Sequence, residues 1–162
     1  MKNQLTYNLR KEQDIKMGIE LENKLLQLLL KQDAGWIKTT DIYNVVDFVN
    51  EDKKIIGELK SRKYNCNHCE DWMIGINKIQ RAEALHSRGY TVIFYFAFYD
   101  GVWSWKYTPE NLRVDTTIRN GGRVDRGIDE IKKYYYISNE KMDFLTDKIK
   151  VPKIDPFPDC VF

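Results

Sequence analysis

The chain has 162 residues, of which 43% are hydrophobic and 13% aromatic. This supplies enough apolar material for a sizeable core, and residues 1–162 are expected to form a single domain because a second would not fit. The formal net charge is only +2, from 26 Lys and Arg against 24 Asp and Glu, so bulk charge does not indicate a nucleic-acid binder and any such surface must be local.

The first predicted element is a helix from Asp14 to Lys31. Its expected core stripe, set by apolar residues at helical spacing, consists of Ile15, Ile19, Leu26 and Leu29. Glu22 falls in the middle of that stripe. A carboxylate at such a position must be paired, protonated or bound to a metal, and the sequence leaves these three options open.

Two apolar runs follow, Val45–Val49 and Ile55–Arg62, and the polar residues between them have the composition of a hairpin turn. The hairpin folds Asp47 back towards Glu58. Because side chains alternate along a strand, Glu58 and Lys60 share one face. Two carboxylates and an ammonium group are therefore expected to meet at the edge of the sheet.

Such a cluster can hold a hard divalent cation, with Leu59 pointing into the core on the opposite face. Mg²⁺ takes oxygen ligands and usually keeps several waters, so one or two carboxylates suffice to hold it beside a phosphate. Lys60 could orient a water or stabilise charge that develops on the phosphate. The pattern thus indicates phosphodiester hydrolysis. Two alternatives are an ordinary ribbon with solvated charges, and Asp41 as the first acid in a longer hairpin.

A second helix is predicted from Trp72 to Arg88, with Gly89 as its C-terminal cap. Gln80 lies on the side of this helix that carries Ile76, where it could orient water or phosphate. A polar residue at the helix margin is the more common explanation. The β-branched and aromatic run Tyr90–Tyr99 that follows is typical of a buried strand.

Beyond this strand, Asp100-Gly101 predicts a tight turn into a further strand. Its aromatic stripe is expected to be core rather than a stacking platform for bases, and consists of Trp103, Trp105 and Tyr107. Ile128–Tyr136 is expected to contain a returning strand and Lys141–Ile149 a terminal helix. Residues 151–162 form a proline-containing tail that should lack regular structure.

Basic residues close to the acidic cluster, and others in a glycine-containing segment, are candidates for contacts to nucleic-acid phosphates. These are Arg62, Lys63, Arg119 and Arg123. Acidic residues interleave with the arginines, so for any single arginine a solvated loop is the favoured interpretation.

The three cysteines are an odd count, residues 1–7 do not form an apolar signal segment, and the sequence has no apolar run that predicts a transmembrane span. Together these features predict an intracellular protein, in the cytoplasm or the nucleus of a host, and no membrane partner. Cys66, His68 and Cys69, with Cys160 as a fourth ligand, suggest zinc by residue type. Their spacing does not match a standard zinc knuckle, so a plain loop is preferred.

The residues Asp47, Glu58, Leu59 and Lys60, at this spacing, resemble the PD-(D/E)xK nuclease superfamily with its restriction-endonuclease-like fold. The run from Gly57 to Arg62 looks most like that of Holliday-junction resolvases and related phage or viral nucleases. The proline that often precedes the aspartate is replaced by valine. The resemblance extends from Ile15 to about Phe98, and it implies an α/β core with a central mixed sheet flanked by helices. The implied order is α-β-β-α-β, with extra C-terminal strand and helix elements.

The resemblance also implies a function and a set of roles. Asp47, Glu58 and the backbone carbonyl of Leu59 would bind Mg²⁺, for which Mn²⁺ can substitute, while Lys60 assists the attacking water. A glutamate on the first helix, Glu22, would be a fourth member, with Gln80 in support. The expected substrate is DNA, branched or structured, as in recombination or repair. Nothing separates DNA from RNA, many relatives act as homodimers, and a non-catalytic binding domain on the same fold is the alternative.

Overall fold

A computed structural model of the chain describes residues 2–39, 46–122 and 132–153. Its helices are α1 (Lys2–Gln32), α2 (Ile76–Ser87) and α3 (Pro109–Asp115). The strands are β1 (Trp36–Lys38), β2 (Phe48–Asn50), β3 (Ile55–Ser61), β4 (Asp71–Gly75), β5 (Thr91–Ala97), β6 (Val102–Tyr107), β7 (Thr116–Gly121), β8 (Lys132–Ser138) and β9 (Asp143–Thr146). Among these ranges, no helix combines the length and the apolar character needed to cross a bilayer.

The strands form a central sheet of six and a second sheet of three. The central order is β1-β2-β3-β5-β6-β9, in which only the β3–β5 pair is parallel, and the smaller order is β4-β8-β7. The apolar side chains of α1 pack against one face of the central sheet, and those of α2 and the smaller sheet pack in a second cluster with the opposite face. The predicted α/β class with a mixed sheet flanked by helices is confirmed. The expected order is present as α1-β2-β3-α2-β5, with β1 and β4 inserted.

The predicted hairpin is confirmed. Strands β2 and β3 are antiparallel with Phe48 opposite Gly57, and the four residues 51–54 form the turn. Within the turn Lys54 adopts a φ of 51°, and its amide donates to the carbonyl of Glu51. This register brings Asp47 back towards Glu58.

Helix α1 differs from its prediction in the face that it buries. Ile15 and Ile19 are 55% and 47% exposed, whereas the buried positions are Met17, Leu21, Leu25 and Leu29. Both sets recur at four-residue spacing, so helical periodicity alone cannot choose between them. The position of the sheet determines which face of α1 is buried. The buried face includes Leu29 but neither Ile15 nor Ile19.

Two further boundaries are corrections. The segment Trp72–Gly75, predicted as the start of a helix, belongs to strand β4, in which Trp72 and Ile74 are buried in alternation. Helix α2 ends at Ser87, and Gly89 follows with a φ of +90°, as predicted. The terminal helix predicted over Lys141–Ile149 is wrong, because its residues 143–146 form β9, which pairs with the edge of the central sheet.

The remaining predictions for the C-terminal half agree where they can be compared. The amide of Phe98 donates to the carbonyl of Gly101 across the predicted turn, and Trp105 and Tyr107 are almost fully buried, as expected for core. Strand β8 is the predicted return from Lys132 onwards, while its expected start lies outside the described residues. Residues 151–153 lack regular structure, and the rest of the tail is likewise outside the described part.

Candidate functional site

Asp47 and Glu58 are brought together by the register of the hairpin. Asp47 immediately precedes β2, and its amide donates to the carbonyl of Gly57 at 3.0 Å. The pairing of Phe48 with Gly57 therefore places Asp47 and Glu58 opposite each other on one face. The Asp47 Oδ2 atom accepts a hydrogen bond from the amide of Leu59 at 2.7 Å, which holds the carboxylate against the edge of β3.

Glu58 is buried, with a side chain only 4% exposed, and two lysines donate to the same oxygen. Lys60 Nζ lies 2.5 Å and Lys78 Nζ 2.7 Å from Glu58 Oε1. The second oxygen, Oε2, is also buried, and no donor from the described residues reaches it. A buried carboxylate oxygen without a partner is energetically unfavourable, so this atom is available to a ligand.

Lys78 is a site residue that sequence reasoning missed. With Ile76 taken as the inner side of the helix, the sequence placed Gln80 there, and Lys78 projects about 200° from Ile76. The buried residues of α2 are Ile79, Ala82 and Leu85, and at about 100° per residue Lys78 projects within roughly 40° of Ala82. A correct reading of the buried face would have placed this lysine at the margin of the core.

Burial raises the pKa of Asp47 to about 6, and the nearby charge of Glu58 adds to the effect. The hydrogen bond from Leu59 opposes this increase, and Glu22 contributes a smaller increase. Burial, together with two neighbouring carboxylates, therefore disfavours the charged form of Asp47. A divalent cation bound beside Asp47 would offset these effects.

The oxygen atoms present also fit such a cation. Mg²⁺ needs one or two carboxylates and otherwise keeps water, and Asp47 and Glu58 each have an oxygen to offer. Peptide groups alternate in direction along a strand, so the carbonyl of Leu59 points to the same side as its amide, towards Asp47. Within the described ranges there is no cluster of three or more His, Cys, Asp or Glu side chains that could hold a metal.

Glu22 lies near this pair but has its own partner. Its carboxylate forms an ion pair of 2.9 Å with Lys38 on β1, and its side chain is 23% exposed. Of the three options that the sequence left open, the structure shows pairing. Because the charge of Glu22 contributes to the raised pKa of Asp47, it adds negative potential to the site; its expected role as a fourth catalytic member stays a prediction.

Gln80 is exposed on α2. It follows Lys78 by two residues and so projects about 200° away from it around the helix. Gln80 therefore lies on the other side of α2 from Lys78, the residue that contacts Glu58. Its expected part in orienting water or phosphate stays a prediction.

A cleft of about 810 Å³ opens beside Lys60. Its floor is the chain from Leu59 to Tyr64, one wall is α1 at Asp14 and Met17, and the other wall is β4 from Asp71 to Met73. The site residues Leu59 and Lys60 therefore line this cleft.

Of the four basic residues expected to contact nucleic acid, the three that the structure describes have protein partners. Arg62 donates to the carbonyls of Ser61 and Met73, which connects β3 to β4, and Lys63 pairs with Asp14 at 2.6 Å. Arg119 pairs with Asp71, while Arg123 is outside the described residues. Their expected role in gripping phosphates remains a prediction.

The zinc alternative gains no support from the described residues. Burial raises the pKa of the Cys66 thiol to about 11, which disfavours the thiolate that zinc requires. Cys69 is exposed, and the ring of His68 stacks on Tyr64 with centroids 4.4 Å apart. Cys160 and the rival acid Asp41 both lie outside the described residues.

The α/β core with its mixed sheet, together with the match to a family model, places the chain in a class of protein, the PD-(D/E)xK nuclease superfamily. The chain belongs to the family described as "Phage putative PDDEXK endonuclease", whose sequence model matches residues 8–145. No curated protein and no solved structure matches the chain. Membership in this family indicates a nuclease, and therefore a nucleic acid as substrate.

Proposed function

We propose that the chain is a divalent-cation-dependent endonuclease that hydrolyses phosphodiester bonds in DNA. The observation that carries the proposal is the pairing of Asp47 with the buried Glu58 beside Lys60, in a chain of the PDDEXK endonuclease family. The unpartnered Oε2 of Glu58 and the raised pKa of Asp47 both favour an added cation.

Asp47, Glu58 and the Leu59 carbonyl would hold Mg²⁺, with Mn²⁺ as a substitute. When bound, such a cation lowers the pKa of water in its shell and neutralises charge that develops on the phosphate. In the reaction the water oxygen forms a bond to phosphorus, and the bond from phosphorus to the 3′ oxygen breaks. The water loses a proton, the leaving 3′ oxygen gains one, and the products are a 5′-phosphate and a 3′-hydroxyl.

The two lysines at Glu58 would have different roles. Lys60 borders the cleft, so its ammonium group can turn from Glu58 to the attacking water or to the phosphate. Lys78 reaches Glu58 from α2 and is not among the residues that line the cleft. It would keep the Glu58 carboxylate oriented when Lys60 moves. Glu22 would strengthen the negative potential that attracts the cation.

Cleavage assays test this proposal. Wild type and Glu58→Gln are compared on linear duplex, branched and single-stranded DNA and on RNA, in EDTA, Mg²⁺ or Mn²⁺. The matched control is Glu20→Gln, which changes an exposed glutamate on α1. We expect cation-dependent cleavage of DNA by wild type and by Glu20→Gln, and loss of at least a hundredfold in rate for Glu58→Gln.

Cleavage that persists in EDTA, or full activity of Glu58→Gln, would overturn the assignment of the site. Binding of DNA without cleavage under every condition would instead identify a non-catalytic binding domain, and cleavage of RNA alone would change the substrate class.

A further inference from the structure

Arg119 on β7 is held in a fixed orientation by Asp71 on β4. The two terminal nitrogens of its guanidinium group donate to the two oxygens of Asp71 at 2.6 and 2.5 Å. A bidentate pair of this kind fixes the plane of the guanidinium and offsets its charge. Arg119 is thus poorly suited to grip a phosphate, since its charged edge is already occupied.

The same guanidinium lies flat against an aromatic ring. Its central carbon is 3.6 Å from the centroid of the Tyr136 ring on β8. Tyr136 in turn crosses β7 at Gly121, where a Cβ atom would come within 1.7 Å of the tyrosine hydroxyl. Glycine is therefore required at position 121 for this ring position. Three strands contribute to one layered arrangement of Tyr136, Arg119 and Asp71.

One side of this arrangement is open. The side chain of Arg119 is 49% exposed although one face of its guanidinium is covered by Tyr136, so the other face is accessible. Exposed ion pairs contribute little to stability, and glycine within a strand weakens it. A contribution to stability is thus a weak explanation for an exposed ion pair of Arg119 combined with a glycine at position 121.

The open face lies on the side of the smaller sheet that contributes residues to the cleft beside Lys60. In the register of the smaller sheet, Arg119 and Tyr136 lie on the same face as Asp71 and Met73. Asp71 and Met73 line the cleft together with Lys60. A planar group is therefore presented on the face of the smaller sheet that also borders the cleft lined by Lys60.

We propose that Arg119, stacked on Tyr136, is a platform for an unpaired nucleobase of the DNA substrate. This inference rests on the proposed function and adds a substrate class to it. Unstacked bases bind on aromatic rings and on guanidinium planes, whereas bases inside a duplex have both faces covered. The substrate would accordingly carry a single-stranded end, flap or junction next to the bond that is cut.

Binding measurements in EDTA, with two substitutions that separate shape from charge, test the platform. Arg119→Lys keeps the charge and removes the plane, while Arg119→Trp keeps a plane and removes the charge. The matched control is Arg113→Lys, which alters another exposed, ion-paired arginine, on α3. The probes are a blunt DNA duplex and the same duplex with a single-stranded overhang that contains 2-aminopurine.

We expect Arg119→Lys to bind the overhang probe about tenfold more weakly than wild type and to lose the quenching of 2-aminopurine that stacking produces. Arg119→Trp should retain both properties. Affinity for the blunt duplex, and the salt dependence of binding, should be the same in all variants, because no phosphate contact is removed.

An Arg119→Lys variant that binds and quenches as wild type does would overturn the platform. So would a loss shared by both probes with a reduced salt dependence, which identifies a phosphate contact. If Arg119→Trp fails to fold, the proposal is still tested by Arg119→Lys, whose affinity for the overhang probe relative to the blunt duplex is compared with that of wild type. Cleavage in Mg²⁺ is measured in parallel: an inactive wild type refutes the nuclease, whereas an active wild type with an unaffected Arg119→Lys refutes the platform alone.

Discussion

Replacing Asp47 by asparagine should stabilise the cation-free protein while abolishing its activity. In the folded chain the pKa of Asp47 is raised from its ordinary value of 3.8 to about 6. The main cause is burial, and the second is the nearby charge of Glu58. A raised pKa means that the folded state binds the proton more tightly than the unfolded state. The stability that this group contributes is fully present below pH 3.8 and is lost as the pH rises through about 6.

The difference between these two values corresponds to about 3 kcal/mol at neutral pH. Asparagine removes the charge, and its amide oxygen can still accept the hydrogen bond from Leu59. At pH 7.5 Asp47→Asn should therefore unfold with a free energy higher by up to about 3 kcal/mol, or a Tm higher by roughly 5–10 °C. At pH 4.5 the two proteins should differ by only about 1 kcal/mol.

Urea and thermal unfolding in EDTA at both pH values measure this difference, with Asp52→Asn in the exposed hairpin turn as the control. Addition of Mg²⁺ provides a second readout, since a ligand of the folded state raises the Tm of wild type but not of Asp47→Asn. The reasoning is refuted if Asp47→Asn is less stable than wild type at pH 7.5, or if the stability difference does not change with pH.

Four further substitutions give predictions, three at residues around this pair and one on helix α1. Lys60→Ala should abolish cleavage but keep the rise of Tm in Mg²⁺. Lys78→Ala should lower the free energy of unfolding, measured in urea, by roughly 1–3 kcal/mol, because buried Glu58 loses one of its two charged donors. Glu22→Gln should reduce the cleavage rate without lowering the Tm; a lower Tm alone would mark it as structural. Gly18→Ala should raise the free energy of unfolding by about 1 kcal/mol, since a Cβ at this helical position meets open space; a decrease would contradict this.

The hairpin was accessible to sequence reasoning because its signals are local. The polar turn and the alternation of Glu58 and Lys60 fix which side chains meet, and the observed register agrees. The face buried by α1 was not accessible in the same way. Ile15 and Met17 both begin apolar series at helical spacing, and only the position of the sheet distinguishes them.

Contacts between distant segments also could not be predicted from the sequence. Lys78 meets Glu58 only because the crossover through α2 sets the helix over that face of the sheet. The pair of Arg119 with Asp71 joins residues 48 positions apart. Most of β4 was predicted as the start of a helix, and no strand was predicted at β7. In each case the residue type was visible, but its partner depended on packing that single-sequence patterns do not encode.

The hydrogen bond between Asp47 and the amide of Leu59 also bears on how the chain avoids mispairing. A strand that slips by one residue against its neighbour turns every side chain to the opposite face. Here a slip would move Glu58 into the apolar layer beneath α1 and expose Leu59. The Asp47 carboxylate accepts the hydrogen bond of the Leu59 amide, so that amide is not free to pair with a slipped β2. One side chain therefore fixes the alignment of the two strands and also carries an oxygen proposed to bind the cation.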